Sequence, residues 1–346
     1  MSLKVYNFKL SLDWALTNLL TKIEQFNTNW VYISSQEAQI LQQLKYVATV
    51  GSVGSSTRIE GAKMTDDEID FLLKNIDISK LKDRDSQEVV GYYEALEMII
   101  SAYPDIEINE STIKHLHNIL MRHSTKDAWH KGNYKIHANS IQAIYPDGTT
   151  QLIFQTTASG YETEEAMQQL INWYHADKET PNLVKCAVFT YEFLSIHPFQ
   201  DGNGRLSRLI SILLLLKHNY NWLQYVSFEH EIEKRKAEYY QALRTCQAQR
   251  PNEDISVWIG FFLDALKNIQ LKLSLKIEQN QQKIELSPKE KTIVAFIAYQ
   301  PNSQSAEIAE KLKIPLPTVK KILADLVRKG VIKKYGQNKS TSYALN

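Results

Sequence analysis

Residues His197-Pro198-Phe199-Gln200-Asp201-Gly202-Asn203-Gly204-Arg205-Leu206-Ser207-Arg208 put a base, a carboxylate, a glycine-bracketed turn and two guanidinium groups into one short run. Helical apolar patterns lie on both sides, so the run reads as a loop feeding a helix N-terminus. Gly202 and Gly204 around Asn203 let successive N–H groups point outward, and the helix dipole behind them favours an anion, most naturally phosphate. Arg205 and Arg208, three apart, share a face of the new helix and reach the same anion at two places. Asp201 stands one residue before that nest, where a carboxylate suits Mg2+ held between phosphate oxygens. His197, four residues further back, is placed to act on a group arriving at the phosphate rather than to bind it. Taken singly, each residue reads more readily as structure: Asp201 as a cap, His197 as a core histidine, the glycines as a turn. Their concentration favours the chemical reading, and the chain has no Walker A motif to offer a rival phosphate site.

The run HPFQDGNGRLSR resembles the signature of the Fic-domain family, H-x-F-x-[D/E]-G-N-G-R-x-x-R, at every defined position. The resemblance implies a protein adenylyltransferase that moves AMP from ATP to a Tyr, Ser or Thr hydroxyl of a target protein and releases pyrophosphate. It implies that His197 deprotonates the hydroxyl and that Asp201 coordinates Mg2+. It gives the nucleotide contacts to Gly202, Asn203, Gly204, Arg205, Leu206, Ser207 and Arg208. Phosphoryl-type transfer depends mainly on positioning and charge neutralisation, which suits this set of residues.

Upstream, Ser56-Thr57-Arg58-Ile59-Glu60-Gly61 reads by itself as a helix C-terminus ended by Gly61, with Glu60 a surface acid. Beside the signature it resembles the family's inhibitory motif, [S/T]-x-x-x-E-[G/N], in its intramolecular form. Glu60 paired with Arg208 then removes the cation meant for the γ-phosphate, and breaking such a pair from one side is expensive. In some relatives the equivalent glutamate helps to remove AMP, and self-modification is a further expectation. The turn Tyr145-Pro146-Asp147-Gly148 between two apolar stretches predicts a β-hairpin over 141–154. It is either a decorative edge or, on the resemblance, a flap that docks the target by β-augmentation, with Ile144 and Phe154 as clamps. Tyr239 and Tyr240 resemble the family's adenine-side stretch and are equally good core aromatics, so at most one should touch the base. Of the nine histidines only His197 has a chemical context, and no zinc site is expected.

Positioning these residues requires a mainly α body. Amphipathic stretches run from Leu10, from Ser35 as an N-cap, from Thr65 with Glu68 as a capping box, and over 163–176, 183–194, 205–217, 231–248 and 255–271. The expected organisation is a helical region 1–84 containing the 56–61 motif, a Fic core 85–271, a polar Gln-rich linker 272–286, and a small domain 287–346. The overall charge of +1 conceals a split: residues 283–346 carry 12 basic and 5 acidic side chains, a net of +7. Residues 287–346 resemble a winged helix-turn-helix domain, with Lys320 and Lys321 on the third helix and Lys333, Lys334 and Lys339 on a wing suited to DNA phosphates. A protein-interaction module of the same fold is the competing reading. The alternative function is thus a transcriptional regulator whose Fic core senses nucleotide. Two cysteines, no apolar h-region in MSLKVYNFKLSLDW and no membrane-length apolar run predict a cytoplasmic protein without membrane partners. The family resemblance adds a homodimer.

Overall fold

The computed structural model describes residues 8–11, 13–144, 150–283, 286–336 and 341–345. The chain forms two compact units, Met1–Leu273 and Ser274–Asn346. Both are mostly helical.

The first unit opens with α1 (Trp14–Gln36), capped by the Asp13 carboxylate, and α2 (Ala38–Ile59). Ser35 does not cap the second helix as its position suggests. Its hydroxyl bonds back to the Tyr32 carbonyl inside α1, and the break falls at Glu37. The capping box expected at Thr65 and Glu68 is formed and starts α3 (Asp66–Lys74). Next come α4 (Arg84–Ala102) and α5 (Glu110–Leu120). The hairpin follows as antiparallel β1 (Ser140–Ile144) and β2 (Thr150–Gln155), with a bulge between Ile141 and Gln142. The Tyr145–Gly148 turn lies outside the described residues, and Ile144 is described by its backbone alone.

After the hairpin come α6 (Tyr161–Ala176), α7 (Asn182–Ile196) and α8 (Asn203–Lys217). The last two carry the core. Every residue of α7 from Leu183 to Ile196 is buried, as is all of α8 from Arg205 to Leu216. A helix apolar all round belongs in the middle of a bundle. Polar residues on such a helix stand out, and α8 buries Arg205, Ser207, Arg208 and Ser211. The expected single helix 231–248 is two, α9 (Phe228–Lys234) and α10 (Lys236–Gln247), broken at Arg235, whose guanidinium is drawn to Glu238 and Asp264.

The helix α11 (Ser256–Lys283) begins in this unit and continues past Leu273 to Lys283, within the segment 272–286 read as a linker. Gln, Lys and Glu are good helix formers, and no Gly or Pro occurs between Ser274 and Ser287 to stop them. Among the described residues, no helix is long and apolar enough to cross a membrane.

The second unit holds α12 (Pro288–Tyr299), β3 (Ser303–Gln304), α13 (Ser305–Leu312), α14 (Leu316–Arg328), β4 (Ile332–Tyr335) and β5 (Ser342–Leu345). Ser287 and Glu290 form a capping box around Pro288. Ile293, Ile297, Ile308, Val319, Leu323, Leu326 and Ile332 make one core. The sheet order is β3-β5-β4, so the expected wing hairpin gains a third short strand from the start of the second helix. Lys339 lies outside the described residues.

Candidate active site

The loop between α7 and α8 is built by its own side chains. Asn203 clamps it: the Phe199 N–H donates to Asn203 Oδ1 (2.9 Å), and Asn203 Nδ2 donates to the Phe199 carbonyl (2.7 Å). The Asn203 side chain is therefore spent on loop shape rather than turned outward. Gly202 is the N-cap of α8 and supplies no capping side chain. The first N–H groups of a helix have no intrahelical acceptor, so the α8 N-terminus keeps donors for an anion.

His197 sits where α7 ends, in the left-handed region at φ 53° and ψ 60°. Burial, followed by the positive charge of Lys135, pushes its pKa down to about 4, against smaller pulls from the Leu194 carbonyl, Glu60 and Asp201. The imidazole is neutral at physiological pH and can accept a proton. Its Nδ1 is buried and has no well-formed hydrogen bond among the described residues, the Leu194 carbonyl being the acceptor that bears on the ring.

Asp201 is the exposed member of the loop, its side chain 43% accessible. Its Oδ1 accepts from the Gly202 N–H at 2.6 Å, and its Oδ2 stands 3.7 Å from Arg84 Nη2. Its backbone is held by His117 of α5. His117 Nδ1 accepts from the Gly132 N–H (2.9 Å), so the ring proton is on Nε2, which donates to the Asp201 carbonyl (3.0 Å). Burial lowers the His117 pKa to about 4, and its ring stacks on Phe199 at 3.9 Å between centroids. Nothing in the spacing of His115 and His117 signalled this role.

The two arginines are fixed by different helices. Arg205 Nη1 lies 3.1 Å from Glu88 of α4, and its Nη2 is 3.8 Å from Asp201. Arg84 closes a ring, donating to the other Glu88 oxygen at 2.6 Å. Glu88 and Arg84 carry no motif, and the sequence reading missed both. Arg208 turns to α2: its Nε donates to Ser56 Oγ (2.8 Å), and its Nη2 to the Ser56 carbonyl (2.9 Å) and to Glu60 Oε1 (2.8 Å). Arg208 Nη1 is buried without a partner.

Glu60 reaches this point because α2 ends there. Gly61, at φ 108°, lets the chain reverse, with Gly61 N–H bonded to Arg58 O and Ala62 N–H to Thr57 O, a Schellman ending. The carboxylate then lies against Gly204. A Cβ on Gly204 would come within 2.3 Å of Glu60 Oε1, so only glycine leaves the acid its seat at the head of α8. Of the three residues expected to inhibit, Ser56 and Glu60 thus meet Arg208 in space, the acid from 148 residues away, while Gly61 shapes the turn behind them.

Other expected contacts are sorted by burial. Leu206 and Ser207 side chains are buried inside the bundle, Ser207 bonding back to the Gly204 carbonyl, so neither faces outward. Tyr239 is buried against Tyr240, Trp258 and Phe261, while Tyr240 is half-exposed. Burial raises the Tyr239 pKa to about 12, with Arg208 and Glu60 both close enough to influence it. Phe154, expected as an exposed clamp, is buried at 9%. The exposed apolar side chain of β2 is Leu152 instead.

Residues 107–215 match the Fic/DOC family model, and residues 286–333 match a winged helix-turn-helix DNA-binding model. A probable protein adenylyltransferase of Aquifex aeolicus is 24% identical over 180 residues, 46% of this chain and 56% of that protein. A Fido domain-containing protein of Dictyostelium discoideum is 30% identical over 94 residues, 27% of this chain and 62% of that one. The chain thus spans between half and two thirds of the length of these relatives. Among solved structures, a Fic family protein from Desulfovibrio desulfuricans aligns with a TM-score of 0.66 at 20% identity, covering 99% of this chain and 98% of that one. A Fic domain containing signaling protein from Bacteroides thetaiotaomicron aligns at 0.61 and 22% identity, covering 75% and 97%. At these identities the likeness is one of fold.

Proposed function

From a chain that carries a Fic domain and a winged helix-turn-helix domain, we propose a protein adenylyltransferase held off by its own Glu60. The observation that carries the reading is the Glu60 carboxylate, 2.8 Å from Arg208 and seated against Gly204 at the head of α8. An acid there occupies the place where the nest and Arg208 would receive the terminal phosphate of ATP.

In the released state, the target hydroxyl oxygen attacks the α-phosphorus, its proton passes to His197, and pyrophosphate leaves. A neutral imidazole is the form this step needs, and the charge of bound phosphates raises its basicity. Arg208 and Arg205 neutralise phosphate oxygens, and the open N–H groups of α8 add a fixed positive end without reorganising. Asp201 suits Mg2+: its side chain is exposed, and its Oδ2 stands 3.7 Å from Arg84 Nη2, its partner among the described residues. Mg2+, when bound, supplies charge neutralisation between phosphate oxygens. Tyr240 borders the adenine side, since Tyr239 is buried. The hairpin edge registers the target segment, with Leu152 in place of the expected Phe154. The same Glu60, beside the α8 N-terminus, is positioned to orient water for AMP removal.

The test is to incubate the Glu60→Gly chain with lysate and labelled ATP, with His197→Ala as the blank, and to identify labelled proteins by mass spectrometry. Label that persists with His197→Ala refutes the assignment.

A second reading, DNA binding by the second unit, is favoured by one feature. Lys320 and Lys321 of α14 and Lys333 and Lys334 of β4 are all exposed in a unit of strongly positive sequence. If DNA binding survives His197→Ala while AMP transfer vanishes, the two activities are separate.

A further inference from the structure

Lys135 lies in the segment leading into β1 and is 1% exposed. Its Nζ donates to Asn139 Oδ1 (2.9 Å), Thr156 Oγ1 (2.9 Å) and the Ile196 carbonyl (3.0 Å). Three acceptors match the three protons of an ammonium, so the side chain is held as a cation although burial lowers its pKa to about 8. The Lys135 N–H donates to the Pro198 carbonyl (2.8 Å), and Asn139 Nδ2 to the Phe199 carbonyl (3.0 Å). The carbonyls of Ile196, Pro198 and Phe199, on both sides of His197, are thus gripped from one place.

The same network reaches both feet of the hairpin. Asn139 directly precedes Ser140, where β1 begins, and Thr156 directly follows Gln155, where β2 ends. Thr156 Oγ1 also bonds to the Asn139 carbonyl (2.8 Å), joining the two feet. Between these anchors His197 adopts a left-handed backbone. A non-glycine residue persists in that region only where its surroundings over-determine it.

We infer that Lys135 is a positioning residue that locks the His197 loop to both feet of the hairpin, keeping the imidazole and the target-docking edge in one fixed geometry. The inference rests on the adenylyl-transfer reading for its effect on rate, but not for its effect on His197. The charged groups that bear on the imidazole are Lys135, Glu60 and Asp201, and Lys135 is the one that disfavours its protonation. An uncharged side chain of similar length should therefore lose both the grip and the field.

The test uses the full chain. Lys135→Met should move the His197 titration to higher pH, followed by NMR of histidine-labelled protein without nucleotide, while Lys135→Arg keeps it near the parent value. In the Glu60→Gly background, Lys135→Met should lower kcat for AMP transfer about tenfold or more with KM for ATP within about twofold, and Lys135→Arg should restore most of it. Thr156→Val keeps the charge and cuts one foot, so kcat should fall with the titration unmoved. A folded Lys135→Met protein with parent titration overturns the inference. If that variant does not fold, Thr156→Val with parent kcat overturns it. If no variant transfers AMP, the reaction assignment fails separately and the titration alone decides the role of Lys135.

Discussion

Replacing Glu60 by glycine tests the proposed inhibitory contact better than any change to Arg208, which the proposed nucleotide site also uses. Glu60 makes one charge-assisted bond to Arg208 at 2.8 Å, and the two bonds from Arg208 to Ser56 remain after the substitution. Hydrogen bonds to charged groups contribute about 1.5–3 kcal/mol, and each 1.4 kcal/mol is about tenfold in an equilibrium. Removing that contact should raise the fraction of protein able to hold ATP productively on the order of 10- to 100-fold. Repulsion between the carboxylate and the γ-phosphate acts in the same direction. Glu60 is the C-cap of α2 at φ −91°, a position that accepts glycine, so the thermal midpoint should fall only by what the lost contact is worth, about 3–10 °C, with the fold intact. The assay is initial-rate incorporation of labelled AMP into the chain itself and into lysate proteins, with the Glu60→Gly, His197→Ala double variant as the zero. A rise below about twofold, with the fold intact, refutes the reasoning.

Other expectations follow from the same geometry. His117→Phe keeps the stack on Phe199 but strips the Asp201 carbonyl and Gly132 N–H of their partner, so chemical denaturation should show a loss of about 1–3 kcal/mol. His117 and His197 are both held neutral with pKa values near 4, below the unfolded 6.5. The unfolded chain binds more protons between those values. Their contribution, on the order of 3 kcal/mol each, is complete above about pH 6.5 and lost as pH falls towards 4, which urea midpoints across that window will read. Glu88→Gln should weaken the hold on Arg205 and raise KM for ATP more than it lowers kcat, as initial-rate kinetics will show. If the second unit binds DNA, Lys320→Ala and Lys333→Ala should each reduce the salt slope by about one, measured by fluorescence anisotropy of a labelled duplex.

The signature loop was legible because its parts are contiguous: a base, a carboxylate and a helix start that one run of residues specifies. The contact of Ser56 and Glu60 with Arg208 was legible only through a resemblance, since nothing local links them. Arg84, Glu88, His117 and Lys135 were not legible at all. Arg84 and Glu88 show only an ordinary i,i+4 pair, their link to Arg205 and Asp201 lies across the fold, and a lysine or histidine bonded to a distant carbonyl leaves no period or spacing behind. The hairpin was readable from its turn, but burial on its two faces was not, and so Phe154 was mistaken for an exposed clamp. At 272–286 composition misled, because polar residues that solvate well are also good helix formers.

Placing the acid at the C-cap of α2 has a thermal consequence. Helix ends open far more readily than helix middles. This end is pinned by side chains outside the signature loop: Lys236 Nζ bonds the Ile59 carbonyl at 2.6 Å, and Arg58 ties the turn to Glu233, Asp66 and the Met64 carbonyl. Under the proposed inhibition, the leak rate of the resting protein is governed by how often one turn frays. It should climb with temperature more steeply than the rate of the Glu60→Gly variant, and the gap between the two curves is a thermometer for a single turn of helix.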